Sequence, residues 1–81
     1  MEIPKYDKKN GISYNWKNGF EIETKIQSGE IIIIANREGL ISLANHLLNL
    51  AQDDIPSGYH MHFDENNSLE AGSTEIIIQK K

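Results

Sequence analysis

Four consecutive isoleucines, Ile31–Ile34, place the strongest constraint on how this chain can fold. Neighbouring side chains of a β-strand point to opposite faces, so this strand is apolar on both. Such a strand belongs in the middle of a sheet or beneath a partner. The closing triplet Ile76–Ile78 has the same property. We therefore expect the two isoleucine strands to lie side by side at the centre of one sheet.

Two alternating segments, 12–16 and 20–26, precede the isoleucine run and predict a hairpin. A three-residue loop between them sets Trp16 opposite Phe20 and requires a left-handed Gly19. At the next turn, Ser28-Gly29, the same alternation sets residue 27 opposite residue 30 and continues one apolar face onto the isoleucine strand.

The segment after Asn36 has the apolar pattern of a helix lying across a sheet. Asn36 is suited to the N-cap, and Pro56 prevents the helix from continuing much beyond residue 51 or 52. The apolar half of the helix is expected to face the sheet, and the polar half, including His46, is expected to face solvent. The apolar half comprises Leu40, Ile41, Leu43, Ala44, Leu47, Leu48, Leu50 and Ala51, and the polar half comprises Ser42, Asn45, His46 and Asn49.

Two further strands, 58–64 and 74–79, follow the helix. Three strands, one helix and two strands predict an α+β domain, a five-stranded antiparallel sheet of order 1-2-3-5-4 (βββαββ) with the helix on one face. The expected register sets Met61 opposite Ile76 and His62 opposite Glu75. The polar residues 1–10 are expected to form a loosely ordered arm, and residues 11–81 a single domain.

Composition excludes several classes of function. The net charge of −4 and the scattered basic residues argue against nucleic-acid binding. No apolar run approaches the roughly 20 residues of a membrane helix, and no signal peptide is visible, so a cytoplasmic protein is expected. The absence of cysteine, of glycine-rich phosphate loops and of an oriented nucleophile argues against cofactors and against an enzyme.

The strand 58–64 alternates strictly between an apolar face and a polar face that carries His60, His62 and Asp64. Together with Glu75 these residues could hold a metal ion, since imidazole and carboxylate are ordinary ligands. Alternatively, they are the polar surface of an edge strand and contact a partner protein. No second helix is available to cover this face, so it is expected to serve a protein partner or a homodimer. The expected contact residues are His60, His62, Asp64, Glu65, Glu70, Ile32, Ile34 and Ile77.

The C-terminal half of the chain resembles a known family. The stretches that carry the resemblance are Gly58–Asp64, Ser68–Ser73 and Glu75–Lys80, preceded by the helix end Leu47–Ala51. They are similar to the small bacterial immunity proteins called immunity protein 32. The resemblance implies a non-enzymatic cytoplasmic protein that binds and neutralises the cognate toxin of a polymorphic toxin system, and it implies no catalytic residues.

Overall fold

The computed structural model describes residues 15–81, which form four strands and one helix. The strands pair into two separate two-stranded antiparallel sheets. The predicted α+β composition is therefore present, but the predicted five-stranded sheet of order 1-2-3-5-4 is wrong. In chain order the elements are β1 (Ile22–Gln27), β2 (Glu30–Ala35), α1 (Arg37–Leu50), β3 (His60–Phe63) and β4 (Ile76–Gln79).

The predicted arm, 1–10, and most of the predicted first strand lie outside the described residues. Asn15 and Trp16, which belong to that predicted strand and are described, are not in a strand. The turn that follows has the expected geometry: the amide of Phe20 donates to Lys17 O at 3.1 Å, and Gly19 is left-handed with φ of 82°. Trp16 stacks on Phe20 with ring centroids 4.6 Å apart, as the three-residue loop predicts.

The sheet β1–β2 is a tight hairpin whose register agrees with the prediction. Gln27 pairs with Glu30, and Ile26 pairs with Ile31. The two turn residues, Ser28 and Gly29, have φ of 52° and 78°. Positive φ at both central positions is the turn geometry whose twist matches that of paired strands, which explains why the hairpin closes with only two residues.

The second sheet joins the first along β1, through the irregular segment 70–74. Glu70 N donates to Ile22 O at 2.9 Å, and Thr74 N donates to Thr24 O at 3.1 Å. The hydroxyl of Ser73 accepts from Thr24 N at 3.2 Å, and the Thr24 hydroxyl donates to Thr74 O. Because hydroxyl groups replace part of the backbone ladder, segment 70–74 lies beside β1 without forming a strand.

This junction explains why the predicted strand order is wrong. The closing isoleucine strand β4 pairs with β3, and the chain leading to it contacts β1 rather than β2. The mid-sheet position beside Ile31–Ile34 is therefore not occupied by β4. The register of β3 and β4 also differs from the predicted one by two residues. Met61 is paired with Ile78 rather than with Ile76, and His62 is paired with Ile77 rather than with Glu75. A shift of two preserves the faces, so Met61 is buried and His62 is exposed, as predicted.

Asn36 connects the start of α1 to the entry of β1. Its Oδ1 accepts from Gly39 N at 2.8 Å and from Glu21 N at 3.0 Å, and its Nδ2 donates to Gly19 O at 2.9 Å. The predicted N-cap is confirmed. The helix ends at Leu50 with Ala51 as the C-cap, close to the predicted end. No helix within residues 15–81 has the length and apolar character needed to cross a membrane.

The orientation of α1 differs from the prediction, since only Leu43 and Leu50 of the large residues in its apolar half pack in or against the core. Its polar half, Ser42, Asn45, His46 and Asn49, is buried, whereas the leucines Leu40, Leu47 and Leu48 are exposed. Ser42, Asn45 and Asn49 form hydrogen bonds, which makes their burial tolerable, whereas His46 packs through its ring against Trp16. Lys17 N donates to Ser42 Oγ at 2.7 Å, Asn49 Nδ2 to Asn45 Oδ1 at 2.9 Å, and Gln52 Nε2 to Asn49 Oδ1 at 3.1 Å.

The hydrophobic core lies between α1, β1 and the inner face of β3–β4. Trp16 and Phe20, which precede β1 in the sequence, pack against this core. The ring of His46 sits against Trp16, with centroids 4.1 Å apart, and 5.9 Å from the ring of Phe63. The core residues are Ile22, Leu50, Ile55, Met61, Phe63 and Leu69.

Candidate protein interface

The outer face of β3 carries an exposed pair of histidines. The rings of His60 and His62 meet edge to face with centroids 4.9 Å apart. His62 Nδ1 lies 3.9 Å from Glu75 Oε2, an ion-pair distance when the imidazole is protonated, and both side chains are about half exposed. In the tautomer with a proton on Nδ1, His60 donates to Gly58 O, 3.2 Å away. We name His60, His62 and Glu75 the histidine face.

The histidine face does not assemble a metal site. Within residues 15–81 there is no group of three or more His, Asp or Glu side chains that could hold a metal ion. Asp64, the third proposed ligand, instead accepts from Asn66 N at 2.9 Å through Oδ1. One oxygen of this carboxylate thus shapes its own loop, and the metal alternative stays a prediction.

Asp64 and Glu65, two of the predicted contact residues, have structural roles in the loop 64–72. The carbonyl of Asp64 accepts from three successive amides, including that of Leu69 at 2.9 Å, and Leu69 is buried. Glu65 Oε2 accepts from Gly72 N at 2.8 Å and closes the loop. Glu70 has an exposed side chain, while its amide bonds to β1. The loop is thus held in one shape, with Glu70 available for contacts.

An apolar groove of about 190 Å³ separates the end of the β1–β2 hairpin from β4. It lies beyond the last bond between the two sheets, Thr74 N to Thr24 O. Ile26 and Ile31 are exposed there by 62% and 73%. We name this the isoleucine groove; its lining residues are Thr24, Lys25, Ile26, Ile31, Thr74, Glu75, Ile76 and Ile77.

The isoleucine groove and the histidine face share Glu75, so they form one continuous surface. Ile77 belongs to the same surface and is paired with His62 across β3–β4. The other predicted apolar contacts lie on the hairpin, where Ile34 is exposed and Ile32 half buried. The structure therefore groups Ile77 with the histidines and places Ile32 and Ile34 on the neighbouring hairpin.

Ile26 and Ile31 are members of this surface that the sequence pattern assigns to the core. Along β1 the inward positions Ile22 and Thr24 are buried, but Ile26, the next on the same face, is exposed. The reason is that segment 70–74 covers β1 only as far as Thr24. Neither residue type nor alternation contains that information, so no sequence signal distinguishes Ile26 from Ile22.

The buried histidine, His46, lies in the core rather than on this surface. Desolvation by burial lowers the pKa of its imidazole to about 4. It is therefore neutral at physiological pH, and its ring serves as a packing element between Trp16 and Phe63. On the exposed surface, His62 Nδ1 lies 3.9 Å from Glu75 Oε2. This distance is longer than a hydrogen bond.

Residues 15–81 thus define a small α+β module with a continuous exposed surface of histidine, carboxylate and isoleucine side chains. The family described as immunity protein 32 matches residues 30–81, from β2 to the end of the chain. Because this match covers more than half of the sequence, the chain belongs to the immunity protein 32 family. Neither a curated protein nor a solved structure matches it.

Proposed function

We propose that this protein binds a cognate bacterial toxin domain and neutralises it by covering the toxin's working surface. Membership of the immunity protein 32 family supports an immunity role in general. The observation that carries the specific proposal is the isoleucine groove beside the histidine face. This role needs no catalysis and is exercised in the cytoplasm of the cell that makes the toxin.

The isoleucine groove has the composition of an interface centre. Protein interfaces combine a desolvated apolar centre with a polar rim, and a few anchors supply most of the binding energy. Ile26, Ile31 and Ile77 are exposed apolar side chains, and Lys25 and Glu75 add one charge of each sign. Burying one isoleucine fully is worth about 1.5–3 kcal/mol. Three such side chains can therefore serve as anchors, each contributing part of the binding free energy.

Electrostatics favours a basic partner. The chain has a net charge of −4, and Glu70 adds an exposed carboxylate beside the junction of the two sheets. An acidic surface accelerates encounter with a basic toxin and fixes its orientation. The contact residues of this proposal are His60, His62, Glu70, Glu75, Ile26, Ile31, Ile32, Ile34 and Ile77, with Asp64 and Glu65 holding the adjoining loop.

The test uses the toxin domain encoded beside the gene for this chain, titrated with the full chain by calorimetry. The double variant His60→Ala, His62→Ala should weaken binding by about tenfold or more, because both rings are exposed contacts. Ile31→Gln should do the same by removing an apolar anchor. Asn18→Ala, at an exposed position outside this surface, is the matched control and should bind normally.

Growth rescue provides the functional readout. Cells that express the toxin domain should grow when they co-express the wild-type chain or the Asn18→Ala variant. They should arrest with the Ile31→Gln variant when the two proteins are expressed at low level. Unchanged affinity in the histidine double variant and in Ile31→Gln would show that the toxin is bound elsewhere, and absence of any binding would overturn the proposal.

A further inference from the structure

The solvent side of α1 carries an apolar stripe that the core does not use. Leu40 and Leu47 are exposed by 56% and 42%, and Ala51 is exposed as well. Leu40, Ala44, Leu47 and Ala51 follow one another at intervals of four, three and four residues. This is the heptad spacing of a seam between two packed helices. The stripe exists because α1 turns its polar half toward the core.

Opposite charges stand at the two ends of the stripe. Arg37, three residues before Leu40, has a side chain that is 78% exposed. Asp54, three residues after Ala51, is exposed in the turn that follows the helix. Arg37 forms an ion pair with its neighbour Glu38 at 3.4 Å. That pair is at the surface, and such pairs contribute little, so Arg37 can exchange it for another carboxylate.

Read in the opposite direction, the stripe is complementary to itself. Pairing it with an antiparallel copy sets each leucine against an alanine: Leu40 meets Ala51 of the partner subunit, and Leu47 meets Ala44 of the partner subunit. The same alignment brings the turn after the helix, which carries Asp54 of the partner subunit, to the end of the seam where Arg37 lies. A two-fold dimer repeats every contact twice, so one self-complementary stripe is sufficient for a closed pair.

We propose that the stripe Arg37, Leu40, Ala44, Leu47, Ala51 and Asp54 joins two copies of this chain through antiparallel α1 helices. Alanine opposite leucine allows the helix axes to approach closely, and the charges at both ends fix the direction of pairing. The isoleucine groove contains no residue of α1, so it stays open in the dimer. This inference is therefore independent of the toxin-binding proposal.

Sedimentation equilibrium of the full chain over a concentration series tests the dimer. The wild type should show a monomer–dimer equilibrium. Leu47→Glu should weaken the dimer by about a hundredfold or more, because it puts a charge into the apolar seam twice. Arg37→Glu should weaken it by about tenfold, because it replaces two attractions by two repulsions.

Restoration by charge exchange is the decisive measurement. The double variant Arg37→Glu, Asp54→Lys should regain most of the wild-type association. Both substitutions also suit the helix dipole, with an acid at the first turn and a base at the end, so neither should unfold the monomer. Circular dichroism melts at low concentration verify that the variants are folded.

Three results would overturn the proposal. A wild-type monomer at every concentration would mean that the stripe does not join two copies of this chain. A dimer that survives Leu47→Glu would use a different surface, such as the Ile32, Ile34 and Ile77 region. A dimer lost in Arg37→Glu but not regained in the charge-exchanged double variant would show that the helices are not antiparallel in this register.

Discussion

Acid should destabilise this protein through His46. The imidazole has a pKa of about 4 in the folded chain against an ordinary 6.5, and the cause is desolvation. Between these two values the unfolded state binds more protons than the folded state, so the free energy of unfolding falls as the pH is lowered through this interval. The stabilisation is fully present above pH 6.5 and is lost as the pH falls toward 4.

The magnitude follows from the two pKa values. Lowering the pH from about 7.5 to about 5 should remove about 2 kcal/mol of stability, and complete protonation should remove about 3 kcal/mol. The loss is measurable by urea unfolding followed through the fluorescence of Trp16, whose ring contacts His46. For a small domain this is a substantial part of the total stability.

Two variants isolate the contribution of His46. His46→Gln should be less stable than the wild type at neutral pH but should lose about 2 kcal/mol less on acidification. The carboxylates titrate in both proteins, and their contribution cancels in the difference. Ile22→Val, in the same core, should cost about 0.5–1.5 kcal/mol at both pH values and keep the wild-type pH dependence. If His46→Gln retains the full acid sensitivity, the imidazole is not the group responsible.

Three further predictions concern the helix start and the histidine face. Gly39→Ala should destabilise by about 1–3 kcal/mol despite the better helix propensity of alanine, because the new Cβ would meet the Glu21 carbonyl; a stabilised variant in urea unfolding would contradict this close approach. Asn36→Ala should cost about 2 kcal/mol, and Asn36→Asp, which keeps the accepting oxygen, should recover part of that loss in the same assay. Zinc titrated into the full chain by calorimetry should give no stoichiometric micromolar binding, and a signal abolished by His62→Ala would restore the metal alternative.

Local features of this fold could be predicted because they depend on neighbouring residues. The register of β1 and β2 follows from the two-residue turn Ser28-Gly29, which fixes every pair along the hairpin. The N-cap at Asn36 and the left-handed Gly19 likewise depend on a few adjacent positions. The faces of β3 follow from strict alternation, which is independent of the partner strand.

The strand order could not be predicted because it depends on side-chain bonds between distant segments. Thr24 and Ser73 are separated by 49 residues, and their hydroxyl groups decide that segment 70–74 lies along β1. The sequence of a strand does not reveal whether the hydroxyl group of a serine or threonine will take the place of a backbone hydrogen bond to a neighbouring segment. The isoleucine runs predict two neighbouring central strands, and this prediction is wrong, because such a run does not identify the segment that lies beside it.

The orientation of α1 shows a limit of apolar patterns. Both halves of this helix have the spacing of a buried stripe, since Ser42, Asn45, His46 and Asn49 recur at intervals of three, one and three. The amide pair Asn45–Asn49 and the bond from Lys17 to Ser42 make the polar half the buried one. The same reversal exposes the leucines of the proposed dimer stripe.

The junction between the two sheets is held by fewer hydrogen bonds than the β1–β2 ladder. It consists of a few bonds to Ile22 and Thr24, two of which use hydroxyl groups. The strands within each sheet, in contrast, share a regular ladder of backbone bonds. Opening at this junction requires fewer broken bonds than separating β1 from β2. The amide hydrogens of Glu70 and Thr74 should therefore exchange with solvent sooner than the amide hydrogens inside the two sheets. Segment 70–74 ends its contact with β1 at the bond between Thr74 and Thr24, so this junction bounds one end of the isoleucine groove.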